Sequence, residues 1–534
     1  MNTVLKKPEL SNHSLIGYAE HQTNTYYNNQ NIAYRKQKAQ FFTPSQIAFF
    51  MADMFDIKKQ SFSILDPGAG TGMLSAAFCE KLLSYDRTFT ITLDAYETDS
   101  ELKPYLKTTL EKCKQTFEEK GSKFCFNIIE KDFILNNADY LNNSLFTKNQ
   151  NYYDIIISNP PYFKLNKNSP QSKIMEDILS GQPNIYAFFM AVSLKMLSSD
   201  GQMVFITPRS FCSGLYFKRF RAWLLKNSKI DRIHLFESRD EIFEEVLQEN
   251  IIVKFIQKTS YNKNQPVIIT NCKNGQLNNV NKLKVEYKDM LHDKTNDVFI
   301  KIPTSHTEIK VQHIINNWKY SINSFGFKVS TGPVVSFRAK NHLSPKFRNN
   351  KTTAPLLWMH NIKGMDVIWP IKKNGKELAI NVSEETQPLL LSVNNFVLVK
   401  RFSSKEQNRR LYAGVFLKSN FDNPKIGIEN HLNYIYKYKG TLSIDEAYGI
   451  AALLNTSIVD IFFRMLNGNT QVNAVDINNI PLPYIEGITK IGKIVQKMKP
   501  AIGIELDKIV VNILDIDDSI LYEIKEIYAK NGKN

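Results

Sequence analysis

Four consecutive residues carry the sharpest chemical signal in this chain: Asn159-Pro160-Pro161-Tyr162, directly after the apolar run Tyr153-Asp154-Ile155-Ile156-Ile157-Ser158. Prolines hold φ near about −65° and lack an N–H, so a pair of them stops a buried strand abruptly and stiffens the backbone that follows. That rigidity suits one task. A planar exocyclic amine is a poor nucleophile, because its lone pair is delocalised into the ring. The side-chain oxygen of Asn159 and the main-chain oxygen of Pro160 can accept its two N–H bonds, favour a tetrahedral nitrogen and free the lone pair. Tyr162 supplies a flat face for a base. Such catalysis is chiefly positioning and needs no strong general base. The plainer alternative is a Pro-Pro strand stop among ordinary residues.

A second constellation lies upstream. Ser63-Ile64-Leu65-Asp66-Pro67-Gly68-Ala69-Gly70-Thr71-Gly72 reads as a strand, a glycine turn and the start of a helix. The glycines do not have the G-x-G-x-x-G spacing of a dinucleotide fingerprint, and no GKS or GKT marks a P-loop. S-adenosylmethionine (SAM) carries no phosphate; its amino-acid end and sulfonium call for backbone contacts and carboxylates. Gly68 and Gly70 allow close backbone approach. Asp66, at a strand's carboxyl end, suits the cationic part, directly or through water. Glu97, closing the next strand, suits ribose hydroxyls. Asp132, after the third, suits an adenine amino group, with Phe133 against the ring. A glycine turn with carboxylates merely capping helices is the competing reading; three acidic residues at successive strand ends favour the methyl donor.

The elements that must position these groups follow from periodicity. Strands are expected at residues 61–65, 89–96, 124–129, 153–158, 201–207 and 251–257, and helices at 73–85 and 185–197. Such alternation, with near-continuous apolar strands, predicts an α/β fold built on a parallel, doubly wound sheet. Residues 1–40 read as a polar N-terminal arm, 41–262 as the catalytic domain, 263–440 as a mixed, basic segment and 441–534 as a helical region. Basic clusters occur at Arg338, Lys340, Lys346, Arg348 and Lys351, and at Lys400, Arg401, Lys405, Arg409 and Arg410.

Composition bounds the rest. The 534 residues are 43% hydrophobic with a formal net charge of +16, a surplus that suggests a polyanion partner or an anionic membrane surface. No apolar run reaches the ~18–20 residues needed to cross a bilayer, and residues 1–20 lack the apolar core of a secretory signal. A cytosolic protein is expected, with no membrane partner. The five cysteines are widely spaced without a CxxC, which predicts reduced thiols. His306, His342 and His431 show no metal spacing, so no metal is expected.

With these motifs in view, the chain resembles the gamma-class DNA adenine-N6 methyltransferases, and within them the modification methylases of the PstI type. The order matches: cofactor motifs, then the catalytic tetrapeptide, then a recognition domain. Phe41-Phe42-Thr43-Pro44 resembles the family's Thr-Pro element, which implies packing of Thr43 and Pro44 on the methionine end of SAM. Asp132-Phe133 matches the family's Asp-Phe. Phe243, in Asp240-Glu241-Ile242-Phe243, matches a late aromatic that stacks on a flipped adenine opposite Tyr162; ordinary core packing is its alternative. Residues 429–435 and 468–473 also look like segments of the PstI-type enzymes. The resemblance implies a SAM-dependent methyltransferase (Rossmann-like) sheet plus a C-terminal mixed α/β target-recognition domain at 263–440, completed by 441–534. It implies SAM as methyl donor, double-stranded DNA as partner and N6 of a flipped adenine as acceptor. It also implies protection of host DNA, with a separate cognate restriction endonuclease. Lys400, Arg401, Arg409, Arg410, Asn469 and Gln471 are the candidates for contacting DNA. The rivals are an orphan regulatory adenine methylase, an RNA adenine or protein glutamine methyltransferase, a non-catalytic DNA-specificity module and a fused methylase-nuclease.

Overall fold

The computed structural model describes residues 14–29, 42–141, 151–179, 184–236, 249–258, 265–272, 276–293, 297–349, 351–404 and 406–530. The chain divides into two compact units, Met1–Thr304 and Ser305–Asn534.

Among the described residues, the first unit is organised around a nine-stranded sheet of order β3-β2-β1-β4-β5-β7-β6-β8-β9. Its strands are β1 (Ser61–Pro67), β2 (Thr90–Tyr96), β3 (Lys123–Ile129), β4 (Tyr153–Ser158), β5 (Leu197–Pro208), β6 (Ser228–Phe236), β7 (Asn250–Gln257), β8 (Val267–Cys272) and β9 (Asn281–Val285). Strands β1 to β5 are parallel neighbours, with β2 on one side of β1 and β4 on the other. The winding therefore reverses between β1 and β4, which opens a crevice beyond their carboxyl ends. β7 runs antiparallel between β5 and β6, and β9 antiparallel to β8. The expected parallel sheet thus holds for β1 to β6 and β8, and β7 and β9 are the antiparallel strands.

β6 escaped the sequence reading because Ser-Lys-Ile-Asp-Arg-Ile-His-Leu-Phe has no clean apolar run. Its charges are tied into an ion network instead. Lys254 of β7, fully buried, reaches Asp56 at 2.6 Å and Asp231 at 3.1 Å, and Arg232 reaches Asp56 at 2.8 Å. Burial raises the Asp56 carboxyl, but the charges of Lys254 and Arg232 outweigh it and hold the group below its ordinary range.

Two domain expectations need correction. The break at 262/263 falls before β8 and β9, which hydrogen-bond into the same sheet, so the first unit runs on to Thr304. The N-terminal arm contains a helix, Leu15–Asn29, whose Leu15, Ile16 and Ala19 join the unit's core. Polar composition hid it, because only one face is apolar.

Among its described residues, the second unit carries two sheets. The first runs Phe327–Thr331, Leu432–Lys437, Phe396–Lys400, Ala413–Phe416, Asp366–Val367 and Ile362–Lys363 from edge to edge. The second runs Leu343–Ser344, Ala379–Asn381, Thr353–Leu357, Lys425–Ile428 and Leu390–Ser392. The helical region expected over 441–534 begins with two buried helices, Ile444–Leu454 and Ser457–Leu466, bent by 60°. No single helix among the described residues is long and apolar enough to cross a membrane.

Candidate active site

The site lies at the switch point between β1 and β4. Ser158, the last residue of β4, donates its hydroxyl to the carbonyl of Pro67, the last of β1, at 2.7 Å. The glycine turn and the Asn-Pro-Pro-Tyr segment leave the sheet side by side from there. The turn is built on left-handed backbone, with φ of 79°, 58° and 88° at Gly68, Gly70 and Gly72. A Cβ on Gly70 would come within 3.1 Å of the Phe42 ring. The amides of Gly68 and Ala69 both donate to Tyr96 O, and that of Gly70 to Glu97 Oε2 at 2.9 Å. A turn whose N–H groups are committed inside the protein is not an anion cradle, in keeping with the missing P-loop motif.

A cavity of about 460 Å³ opens here, within the range of small-molecule sites. Its wall contains Gly68, Gly70, Glu97, Asp132, Phe133, Asn159 and Pro160, seven residues singled out from sequence. Glu97 is held from two sides, since Oε1 accepts from the Asp99 amide at 2.8 Å while Oε2 holds Gly70. Burial raises its carboxyl above the ordinary value against those hydrogen bonds. Asp132 combines two tasks. Its Oδ1 caps the short helix Phe133–Asn136 by accepting from Leu135 N at 2.8 Å, and its Oδ2 accepts from Gln171 Nε2 at 2.9 Å. Phe133 packs between Tyr96 and Phe189, each with ring centroids 5.1 Å away.

Other expected residues sit differently. Asp66 is fully buried and is not part of the cavity wall; its Oδ2 accepts from Ser75 Oγ at 2.6 Å. Its Oδ1 is buried with no hydrogen-bond partner among the described residues. Burial, aided by the Glu97 charge and opposed by Ser75, pushes its carboxyl up to about 7. Of the two routes expected for Asp66, direct contact with a cavity ligand is closed in this geometry. Thr43 and Pro44 are also off the wall. Pro44 precedes the helix Ser45–Asp53, while the Thr43 hydroxyl accepts from Asn159 Nδ2 at 3.0 Å. That contact orients the Asn159 amide so that Oδ1 faces the other way. Tyr162 is turned inward: its hydroxyl lies 2.8 Å from Asn159 Oδ1 and 2.9 Å from Ile206 O, donating to them, beside Tyr186. Burial raises its pKa well above the ordinary tyrosine value, so it remains a donor at neutral pH. Phe243, with Phe41 and Lys405, lies outside the described residues.

Sequence reasoning missed Phe163 and Phe189 on the cavity wall. Phe189 belongs to the helix Ile185–Lys195, which is apolar on every side, so no periodic signal marked the face that meets the cavity. Phe163 follows the tetrapeptide and is 41% exposed, and position alone could have found it.

In the second unit the DNA-contact candidates separate into two groups. Arg410 is fully buried and donates to Asn467 O, Asn469 O and Ser403 Oγ, which removes it from any readable surface. Arg409 is committed to Asn455 O and Ser457 Oγ. Lys400, Arg401, Asn469 and Gln471 are partly exposed. Antiparallel pairing of Phe402 with Gln471 brings their two segments together. Arg401 donates to Asn430 O at 3.1 Å, the His431 ring lies 4.7 Å from Phe402, and Asn433 Nδ2 donates to Val472 O at 2.7 Å. The segments 429–435 and 468–473, noted separately in the sequence, thus meet in one polar junction.

Comparison with known proteins extends this picture. The family model described as Eco57I restriction-modification methylase matches residues 73–243. The chain is 35% identical over 479 residues to the type II methyltransferase M.BsuBI of Bacillus subtilis, covering 89% of this chain and 93% of that one. It is 32% identical over 459 residues to the type II methyltransferase M.PstI of Providencia stuartii, covering 86% and 89%. Among solved structures, a nuclease-deletion mutant of the type ISP restriction-modification enzyme LlaGI, in complex with a DNA substrate mimic, aligns with a TM-score of 0.48 and 11% identity, over 86% of this chain and 54% of that one. Relatives of this similarity cover most of the chain and most of their own length, so the protein belongs to the type II methyltransferases of restriction-modification systems.

Proposed function

We propose that the protein transfers a methyl group from SAM to the exocyclic N6 of an adenine flipped out of duplex DNA. One observation carries this reading: Asn159 and Pro160 share a cavity with Glu97, Asp132 and Phe133 at the switch point of the sheet. The donor set fits SAM. Glu97 offers acceptors for ribose hydroxyls, Asp132 for an amino group, and Phe133 with Phe189 an aromatic wall, while the glycine turn keeps side chains out of the space between. The buried Asp66 Oδ1, without a hydrogen-bond partner among the described residues, lies off the wall and could serve a ligand only through water.

Bound SAM supplies an electrophilic methyl on sulfonium. The protein's own part is positional. Asn159 Oδ1 and the Pro160 carbonyl accept the two N–H bonds of the adenine amine, so that its lone pair points at the methyl. With SAM bound, the methylated nitrogen would lose one proton to solvent, since no strong base lies among the described residues of the cavity wall to take it. Thr43 holds the Asn159 amide in the required orientation. Tyr162, which occupies Asn159 Oδ1 here, must yield that acceptor, and its ring can then stack on the base, worth about 1–3 kcal/mol toward the cost of flipping. A separate cognate endonuclease would make this methylation protective.

Labelled SAM incubated in parallel with duplex DNA, duplex RNA and protein tests the reading. Digested DNA should yield N6-methyladenine. Label confined to RNA or protein, or found on cytosine, would refute it.

A further inference from the structure

Two tight hairpins in the second unit carry lysines at their tips. In one, Ile362–Lys363 pairs with Asp366–Val367 around Gly364, whose φ is 59°. In the other, Lys373 and Lys376 flank Asn374-Gly375, with φ of 69° at Gly375 and a 3.0 Å bond from Lys376 N to Lys373 O. Asn-Gly is the preferred pair for so short a loop, so the turn chemistry itself projects these lysines. Lys363, Lys373 and Lys376 are exposed, while Lys400 is half-buried at the end of its strand. The sequence reading noticed only Lys400 of these four.

Their charges act on one another. Burial and then the charges of Lys363 and Lys373 hold Lys400 below the ordinary lysine value. Lys373, Lys363 and Lys376 likewise lower His360, after burial. Among the described residues no ion pair involves any of the four lysines. The carboxylate opposite Lys363, Asp366, accepts instead from the Tyr448 hydroxyl at 2.7 Å. Aromatic faces steady two of the ammonium groups without neutralising them: Lys376 lies 4.3 Å from the Trp358 ring and Lys400 4.7 Å from Tyr412. A fold that gathers like charges and withholds counter-charges raises its own energy until an anion arrives.

We infer that the hairpin tips bearing Lys363, Lys373 and Lys376, together with Lys400, form a docking site for the phosphates of duplex DNA. This rests on the DNA reading above and adds the element that grips the backbone. The contacts are to phosphate rather than base edges, so they set affinity and salt dependence, not target sequence.

The test compares the whole protein with a Lys363→Gln/Lys373→Gln/Lys376→Gln variant. Binding to a duplex DNA carrying the methylated site is titrated over a range of salt, with SAM affinity and thermal midpoint as checks on folding. Each lost phosphate contact makes the slope of log K against log salt shallower by about 0.9, so the triple variant should flatten by two to three. Methylation should keep the same target sequence. A control variant, Lys107→Gln/Lys114→Gln/Lys288→Gln, removes the same charge from exposed lysines of the first unit and should keep the wild-type slope. Wild-type slopes in both variants would overturn the docking site and leave the proposed function standing. Equal flattening in both would also overturn it, by reducing the effect to net charge. Flattening on duplex RNA only would overturn it in favour of a different polymer. Wild-type protein that methylates adenine in RNA and ignores DNA would remove the function and the site together.

Discussion

The two units use charge in opposite ways. In the first, two of the three carboxylates flagged by the sequence meet one crevice, and both are tied to the backbone: Glu97 to the amides of Gly70 and Asp99, Asp132 to the amide of Leu135. In the second, the flagged cations scatter. Arg410 turns inward to serve three oxygens of its own unit, while Lys363, Lys373 and Lys376, which stand clear, come from hairpins that no motif marked. A carboxylate at the end of a parallel strand has its place fixed by the sheet; a basic residue in a mixed loop can be either a solvated cation or an internal clamp. Residue type therefore predicts role only where the local backbone is already determined.

The strongest way to break this comparison is at Asp66. Its carboxyl stands at about 7 in the folded protein against an ordinary 3.8, a difference worth about 4 kcal/mol. Because the folded value is the higher one, the protonated group stabilises the fold fully below pH 3.8, and that contribution is lost as pH rises toward 7. Chemical denaturation across this window should show wild-type stability falling, and Asp66→Asn should flatten the fall. Parallel curves would show that burial of this carboxyl is not what governs the first unit's pH response.

At Asn159 the effect is on chemistry rather than folding. Asn159→Ala should lower single-turnover methyl transfer by roughly 10²–10³-fold, the usual cost of one such stabilising group, while SAM affinity is retained. Full activity would remove the residue from its assigned role. In the second unit, Arg410→Ala should destabilise by about 3 kcal/mol, since it empties a buried site and strands the carbonyls of Asn467 and Asn469. Denaturant unfolding measures this; a stable variant with weakened, less salt-dependent DNA binding would return Arg410 to the interface. The smallest effect is expected at the glycine turn. Gly70→Ala places a Cβ within 3.1 Å of the Phe42 ring on left-handed backbone, at a cost of about 1–2 kcal/mol. Weaker SAM binding by calorimetry, with the sheet intact by circular dichroism, is the expected signature.

The legible part of the fold was its first five strands and β7. β4 matches its expected bounds, and β1 and β3 differ only at their ends; β1 and β4 are buried along most of their length and apolar to match, while β3 is half-exposed but keeps alternating apolar residues. β6 was illegible because its polar side chains are satisfied by partners distant in sequence, Asp56 and Lys254. The glycine turn and the strand-end residues Glu97, Asp132 and Asn159 were readable for a related reason: a parallel strand delivers its next residue to one known edge of the sheet.

The sequence by itself therefore determined the reagents, an amide, two carboxylates, glycines and aromatic rings, along with the order in which the sheet presents them. Tertiary structure decided which of them meet the cavity. Burial took Asp66 off the wall, the Thr43 hydroxyl claimed the Asn159 amide, and the Tyr162 hydroxyl took the oxygen that a substrate amine would need. Each outcome depends on a hydrogen bond between side chains brought together by folding, and periodicity and spacing carry no record of such partners.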